Sequence, residues 1–202
     1  MKITVIGATG MVGSRIVAEG ARRGHEMTAM SRSGAATEGA SSTGSMELGD
    51  TPAVVAAIEA ADATVIAVSP DRSGGSHEPT LQAHRDLVAA RPRGRLLVVG
   101  GAGSLDIDGV RLKDTPGFPP AYYDEATTFS TILDLYRASG HLDWTMLSPA
   151  PVIAPGERTG AYRVGADSPV GNTVSAEDFA VAIIDELEKP AHAGTRFTVA
   201  NG

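Results

Sequence analysis

The chain has 202 residues, no cysteine and a formal net charge of -7. This length fits one domain with its own core, the absence of cysteine excludes disulfides and thiolate metal sites, and the acidic balance argues against nucleic acid as a partner. No apolar run approaches a membrane span and the N-terminal stretch is too short for a secretory signal, so we expect a cytoplasmic protein with no membrane partner.

The chain begins with an apolar strand that runs directly into three glycines spaced three apart. Ile3–Ile6 suits a buried strand, and apolar residues follow helical spacing from Val12 onward. Glycines let the backbone approach a pyrophosphate closely, and the free N–H groups at a helix start attract its negative charge. The motif therefore predicts a dinucleotide-binding turn formed by Gly7, Ala8, Thr9, Gly10, Met11, Val12 and Gly13.

The second predicted strand, Met27–Met30, is followed by Ser31, Arg32 and Ser33. At this position an acid usually binds the 2′-hydroxyl of NAD, whereas a cation suits the 2′-phosphate of NADP. Arg32 has a fork of donors suited to phosphate, and both serines add hydroxyl donors. We therefore expect NADP(H) to be preferred over NAD(H). Glu26 precedes this strand and is expected at the wrong end of it, while a solvated arginine without a ligand is the alternative for Arg32.

The rest of the chain alternates strand-like and helix-like stretches. Three further helices are predicted. The first has Thr51 as its N-cap, and the second runs from Pro79 to Ala90. The third starts at Ser175, and Asp178 would complete its capping box. Asp50 is expected either to contact the adenine ring or to be a turn residue. Further strands are predicted at Ala63–Val68, Arg95–Val99, Trp144–Leu147 and Phe197–Ala200, and irregular structure at 33–45, 70–76 and 115–120.

Near-continuous apolar strands are typical of a parallel sheet covered on both faces. The pattern therefore predicts a single α/β domain, a Rossmann-type doubly wound parallel sheet with helices on both faces. Ligands of such folds bind outside the carboxyl ends of the strands. We expect the substrate-side loops to come mainly from residues 70–78, 101–123 and 150–174.

Five segments together resemble the atypical short-chain dehydrogenase/reductase superfamily: 5–13, 31–33, 96–105, 142–151 and 155–162. The likeness is greatest to its small NAD(P)H-binding, NmrA-like branch, which includes flavin reductases of the biliverdin reductase B type. The resemblance implies that Ala67, Val68 and Ser69 line the adenosine side. It places Gly100, Gly101, Ala102 and Ser104 near the nicotinamide, with Ser148, Pro149 and Ala150. The small flavin reductases carry a histidine at the position of Ala150.

The Tyr-x-x-x-Lys pair of most short-chain dehydrogenases is absent, because no tyrosine is followed by lysine four positions later. A reductase built on this chain would rest mainly on hydride positioning. Ser104, Tyr122 and Tyr123 are the remaining candidate proton donors, since they lie in or after loops expected to face the nicotinamide. For the two tyrosines, a packed loop beside Pro119–Pro120 is the alternative.

No metal site is expected. His77 and His84 could share a helix face, but no clear third ligand accompanies them, and surface positions are favoured. The segment Asp106–Gly109 contains two carboxylates but lacks the rest of a calcium loop, so it is interpreted as a turn.

The sequence thus favours an NADPH-dependent oxidoreductase that acts on a small molecule, such as a flavin, a quinone or a similar conjugated acceptor. Two alternatives remain open at this stage. One is a non-catalytic NADP(H)-sensing regulator, as NmrA-like proteins suggest, and the other is an epimerase/dehydratase-like enzyme. Either a monomer or a homodimer is expected.

Overall fold

The computed structural model describes all 202 residues. In chain order the elements are β1 (Lys2–Ile6), α1 (Met11–Arg22), β2 (Glu26–Ser31), β3 (Ser42–Ser45), α2 (Thr51–Ala60), β4 (Ala63–Ile66), α3 (Glu78–Ala90), β5 (Arg95–Val99), β6 (Asp106–Ile107), β7 (Val110–Arg111), α4 (Tyr123–Arg137), β8 (Asp143–Pro149), β9 (Val152–Ala154), β10 (Arg163–Gly165), β11 (Thr173–Ser175), α5 (Ala176–Glu188) and β12 (Arg196–Ala200). Short 3₁₀ turns lie at Ala102–Ser104, Leu112–Asp114 and Pro120–Tyr122.

The central sheet has the strand order β10-β12-β8-β5-β4-β1-β2-β3. All its strands run parallel except β10, which pairs antiparallel with β12 at one edge. Helices α1 and α5 cover one face, and α2, α3 and α4 cover the other. This confirms the predicted doubly wound single domain. No helix combines the length and the apolar character that crossing a lipid bilayer requires.

Two local predictions are wrong on the β2 side of the sheet. Residues 42–45, expected to be irregular, form the edge strand β3, which pairs only with β2. Thr51 is the first residue of α2 rather than its N-cap, because the carboxylate of Asp50 accepts a hydrogen bond from the amide of Ala53 at 3.2 Å. Residues 33–41 have no helix or strand, as predicted, so the errors are limited to one short strand and one cap residue.

The N-cap of α5 is correct, but the capping box is not. The Ser175 hydroxyl accepts from the Asp178 amide at 3.0 Å. The buried Asp178 carboxylate instead accepts from the Gly160 amide at 2.7 Å, from the Thr159 hydroxyl at 2.6 Å and from the Asn201 side chain at 2.7 Å. Burial opposes ionisation of Asp178, but these hydrogen bonds outweigh it and lower its pKa. Asp178 therefore fastens the loop before β10 to α5.

The surface position expected for His84 is wrong. His84 is buried between α3 and α4, where its Nδ1 lies 3.0 Å from the hydroxyl of Tyr136 and its ring meets the tyrosine ring edge-on. Burial lowers the pKa of His84 to about 4 and raises the pKa of Tyr136. The hydrogen bond is therefore made between two neutral groups.

This burial predicts an acid-sensitive fold. The pKa of His84 is about 6.5 in the unfolded chain and about 4 in the folded chain. At a pH between these two values, His84 is protonated in the unfolded chain and neutral in the folded chain. Stability should fall by up to about 3 kcal/mol as the pH drops through this window. Urea unfolding of the native chain and of His84→Gln, measured from about pH 7 to about pH 4, would isolate this component. Equal pH slopes in the two proteins would contradict the prediction.

Candidate functional site

A cleft with a volume of ≈ 1160 Å³ lies at the carboxyl ends of β1, β4, β5 and β8. Its floor is formed by the ends of these strands and the turns that follow them. Its walls are residues of the 70–78 loop, the 101–123 segment and the start of α4. From the third predicted loop, 150–174, only residues 150–153 line it. The cleft is therefore at the strand ends where the sequence predicts ligand binding.

Two of the three glycines in the first turn are required by close backbone packing. Gly7 has φ +90°, and a Cβ there would overlap the carbonyl group of Ala67, lying 2.8 Å from its carbon. A Cβ at Gly13 would overlap the carbonyl group of Gly7, lying 2.9 Å from its carbon. These two glycines bring β1, β4 and the first turn of α1 together, so that the turn has a fixed shape.

The third glycine, Gly10, is the N-cap of α1 and lines the cleft, with no side-chain capping bond and no acid in the first turn. The amides of Met11, Val12 and Gly13 have no acceptor in the chain, and Ser14 is the first to find one, the carbonyl of Gly10 at 3.0 Å. Free amides at a helix start form an anion site. The turn thus fits the pyrophosphate of a dinucleotide.

A shallow recess beside the cleft is lined by Thr9, Arg32 and Ser33. Arg32 is exposed, and its guanidinium makes no hydrogen bond or ion pair, although its carbonyl accepts from Ser45 at 2.8 Å. Ser31 is buried, and its hydroxyl lies 3.5 Å from that of Ser33. The recess therefore offers one free cation with hydroxyl donors nearby. Glu26 starts β2, at the opposite end of the strand, as predicted.

Other segments expected at the cofactor also meet the cleft. Ala67, Val68, Ser69, Gly100, Gly101, Ala102, Pro149 and Ala150 all line it. A Cβ at Gly100 would lie 2.7 Å from the Ser148 hydroxyl, and one at Gly101 2.6 Å from the Phe129 ring. Ser148 lies behind Gly100, fully buried, and its hydroxyl has no hydrogen-bond partner. Asp50, for which a contact with the adenine ring or a turn position was expected, is the N-cap of α2, and its carboxylate accepts a hydrogen bond from the Ala53 amide.

Ser104, expected as a proton donor, does not line the cleft. Its side chain is 1% exposed and its hydroxyl donates to the carbonyl of Gly101 at 2.7 Å, which closes the turn after β5. The guanidinium of Arg196 lies 3.5 Å from the same oxygen. Because the hydroxyl is buried and already donates to Gly101, the geometry favours a structural role for Ser104 over that of a proton donor.

The two candidate tyrosines differ in position relative to the cleft. Tyr122 lines the cleft and is 62% exposed, so it is not the packed anchor considered as an alternative. Tyr123 does not line the cleft: its hydroxyl donates to Asp114 at 3.2 Å and lies 3.5 Å from the ammonium group of Lys113. Asp114 raises the pKa of Lys113 by its hydrogen bond, so this lysine stays paired rather than activating the phenol. Tyr122 is the donor candidate that faces the cleft.

Contacts that the sequence does not signal connect the 70–78 loop with α4. Arg72 donates two hydrogen bonds to the carboxylate of Glu125, at 3.0 and 2.5 Å, and both residues line the cleft. His77 lies between the hydroxyl of Thr128 at 2.9 Å and the carbonyl of Asp71 at 2.8 Å. Arg72 and Glu125 are 53 residues apart in the chain, and His77 and Thr128 are 51 apart, so no local motif could reveal these two contacts.

Comparisons with known proteins identify the family of the chain. Residues 7–190 match the model of a family described as NAD(P)H-binding. The uncharacterised protein YwnB of Bacillus subtilis is 37% identical and covers 98% of each chain. A solved structure from Streptococcus pneumoniae, proposed to be an NADH-flavin reductase, is 32% identical with a TM-score of 0.83 and covers 100% of each chain.

A second solved structure, from Burkholderia pseudomallei, is 37% identical with a TM-score of 0.87 and covers 99% of each chain. That protein is proposed to be exported. The cytoplasmic location expected for the present chain therefore stays a prediction.

Proposed function

Because this chain belongs to the NAD(P)H-binding family, within the atypical short-chain dehydrogenase/reductase superfamily, we propose that it is an NADPH-dependent oxidoreductase that reduces a flavin, a quinone or a similar small conjugated acceptor. One observation carries the proposal. A single cleft joins a dinucleotide cradle to a wall that includes Tyr122 but no lysine, since Lys113, which lies beside the Tyr123 hydroxyl, is outside the cleft. Such a site suits acceptors that need little acid catalysis from the protein.

The residues of the cleft divide into binding and positioning roles. The free amides of α1 would bind the pyrophosphate, and Arg32 with Thr9 and Ser33 would bind the 2′-phosphate. Gly100, Gly101 and Ala102 would let the nicotinamide lie close to the end of β5, against Pro149 and Ala150. The dihydronicotinamide supplies a hydride when it is bound. The protein then holds donor and acceptor face to face, which is the main source of rate acceleration in such a site.

The proton that completes reduction is proposed to come from solvent or from Tyr122. This tyrosine lies at the rim of the cleft, where its phenol is open to water. Reduced flavins and quinones gain their proton on an exposed heteroatom, so a fixed internal acid is not required. Tyr122 would then act mainly by covering the acceptor ring.

The test is oxidation of NADPH, followed by absorbance, with riboflavin, FMN and a series of quinones as acceptors. We expect saturable turnover with at least one of them, and at most a severalfold loss of kcat in Tyr122→Phe. Binding of NADPH without turnover of any acceptor would overturn the proposal and favour the NADP(H)-sensing alternative. A loss of kcat of about 100-fold or more in Tyr122→Phe would make this phenol the catalytic acid.

A further inference from the structure

The geometry points to an acceptor that is a flat apolar ring with no negative charge, so that the site discriminates against phosphorylated or sulfonated acceptors. This inference rests on the proposed function and narrows its substrate class. It is drawn from the charges that line the acceptor side of the cleft, which we define as the cleft-lining residues within 71–77 and 112–125. Lys113 does not line the cleft and is paired with Asp114.

The acceptor side carries three carboxylates, Asp71, Asp124 and Glu125, against one guanidinium, Arg72. Glu125 accepts both hydrogen bonds of the Arg72 fork, and this pairing raises the pKa of the guanidinium. Arg72 is thereby neutralised within the chain. Its Nε and Nη2 atoms are already used in the contact with Glu125, so it offers an acceptor anion no uncompensated positive charge.

The remaining two carboxylates, Asp71 and Asp124, are not neutralised by an ion pair. The Ser73 hydroxyl, followed by the Gly75 amide, lowers the pKa of Asp71 by hydrogen bonding, so this side chain is ionised. Asp124 lies in the first turn of α4 and forms no ion pair. The positive end of the α4 dipole is worth about half a charge, which is less than the one unpaired charge of Asp124.

His77 does not offset these acids with a free donor. One ring nitrogen meets the hydroxyl of Thr128 and the other meets the carbonyl of Asp71, so both are engaged within the chain. An anionic group on the acceptor would therefore find carboxylates and no free cation on this side. Like charges in a partly desolvated cleft repel each other more strongly than they do in bulk water.

The opposite end of the cleft has the reverse polarity. There the free amides of α1 and the unpaired guanidinium of Arg32 would receive the phosphates of the cofactor. The acceptor side also presents the apolar residues Leu112, Pro116, Phe118 and Pro119, and Phe129 of α4 lines the same cleft. The cleft is thus matched to a phosphate-rich cofactor at one end and to an uncharged or cationic ring at the other.

The test uses acceptor pairs that differ only by an anionic group. Riboflavin and FMN share the isoalloxazine ring, and 2-methyl-1,4-naphthoquinone can be compared with its sulfonated derivative. At low ionic strength, we expect kcat/KM for each uncharged member to exceed that of its anionic partner by about tenfold, and the ratio to shrink as salt is added. Equal or better turnover of FMN and of the sulfonated quinone would overturn the inference.

Three substitutions locate the effect. Asp124→Asn removes an unpaired charge, and Glu125→Gln removes a charge and releases Arg72, so both should narrow the riboflavin-to-FMN ratio severalfold, the second more than the first. Glu26→Gln is the matched control, because this exposed acid lies at the opposite end of the sheet. An identical narrowing in Glu26→Gln would show that net charge alone sets the ratio, and would overturn the local explanation.

Binding separates this inference from the proposed function. Calorimetric titration of the protein with NADP⁺ bound measures the affinities of riboflavin and FMN without turnover. If no acceptor is reduced but riboflavin binds about tenfold more tightly, the proposed function fails and the inference stands. If acceptors are reduced but FMN binds as tightly as riboflavin, the inference fails and the proposed function stands.

Discussion

Replacing Gly13 with alanine is expected to abolish dinucleotide binding and to lower the melting temperature. The added methyl group would overlap the carbonyl group of Gly7 and lie 3.0 Å from the Cα of Ala8, and all of these atoms belong to the backbone. No side chain can rotate away, so α1 must move relative to the turn. Such overpacking costs about 1–3 kcal/mol, and a shift of about 1 Å at the pyrophosphate site should weaken binding about 100-fold or more. Thermal unfolding and titration of NADPH by fluorescence measure the two effects.

Two further glycine variants separate binding from folding. A Cβ at Gly10 would meet only the Gly7 carbonyl, at 3.3 Å, but would project where the pyrophosphate approaches, so Gly10→Ala should bind weakly and melt almost normally. A Cβ at Gly49 would have nothing within 4 Å, and Gly49→Ala should change neither property. Native-like NADPH affinity in Gly13→Ala would show that the turn is not the pyrophosphate site.

The elements that could be predicted from sequence are those whose signal is local. Strand β5 matches its predicted bounds because an unbroken apolar run is buried on both faces. Strand β3 was not predictable, since Ser42–Ser45 is polar and its pairing with β2 at the sheet edge is a long-range event. Helix α4 likewise has no start signal, because its N-cap, Tyr122, makes no side-chain capping bond.

The same distinction divides the site. The cofactor cradle could be predicted because a strand, a glycine turn and a helix start follow one another in the chain. The acceptor side could not, because its chemistry depends on partners far apart in sequence, such as Arg72 with Glu125. The hydroxyl of Ser104 and the ring of His84 have suitable chemistry for catalysis or metal binding, yet packing buries both. Residue type alone does not reveal which polar groups the fold has already paired.

Replacing Arg32 with alanine is expected to weaken NADPH binding by about 10- to 100-fold and to leave NADH binding unchanged. Hydrogen bonds to a charged group are worth about 1.5–3 kcal/mol, and the guanidinium of Arg32 has no partner in the chain that would compete for it. NADH lacks the 2′-phosphate and would lose nothing. Separate titrations of the native chain and of Arg32→Ala with the two cofactors measure the change in selectivity.

Arg93→Ala is the matched control for this prediction. Arg93 is also exposed, but it lies in the turn before β5, at the amino ends of the strands and away from the cleft. The Arg93→Ala substitution removes one positive charge, as Arg32→Ala does, so a loss of NADPH affinity shared by both variants would be an effect of net charge. Added salt should weaken NADPH binding to the native chain more than to Arg32→Ala, because the variant no longer has the phosphate contact that ions screen. An unchanged NADPH-to-NADH ratio in Arg32→Ala would show that Arg32 does not recognise the 2′-phosphate, and cofactor choice would then have to come from Thr9 and Ser33 in the same recess.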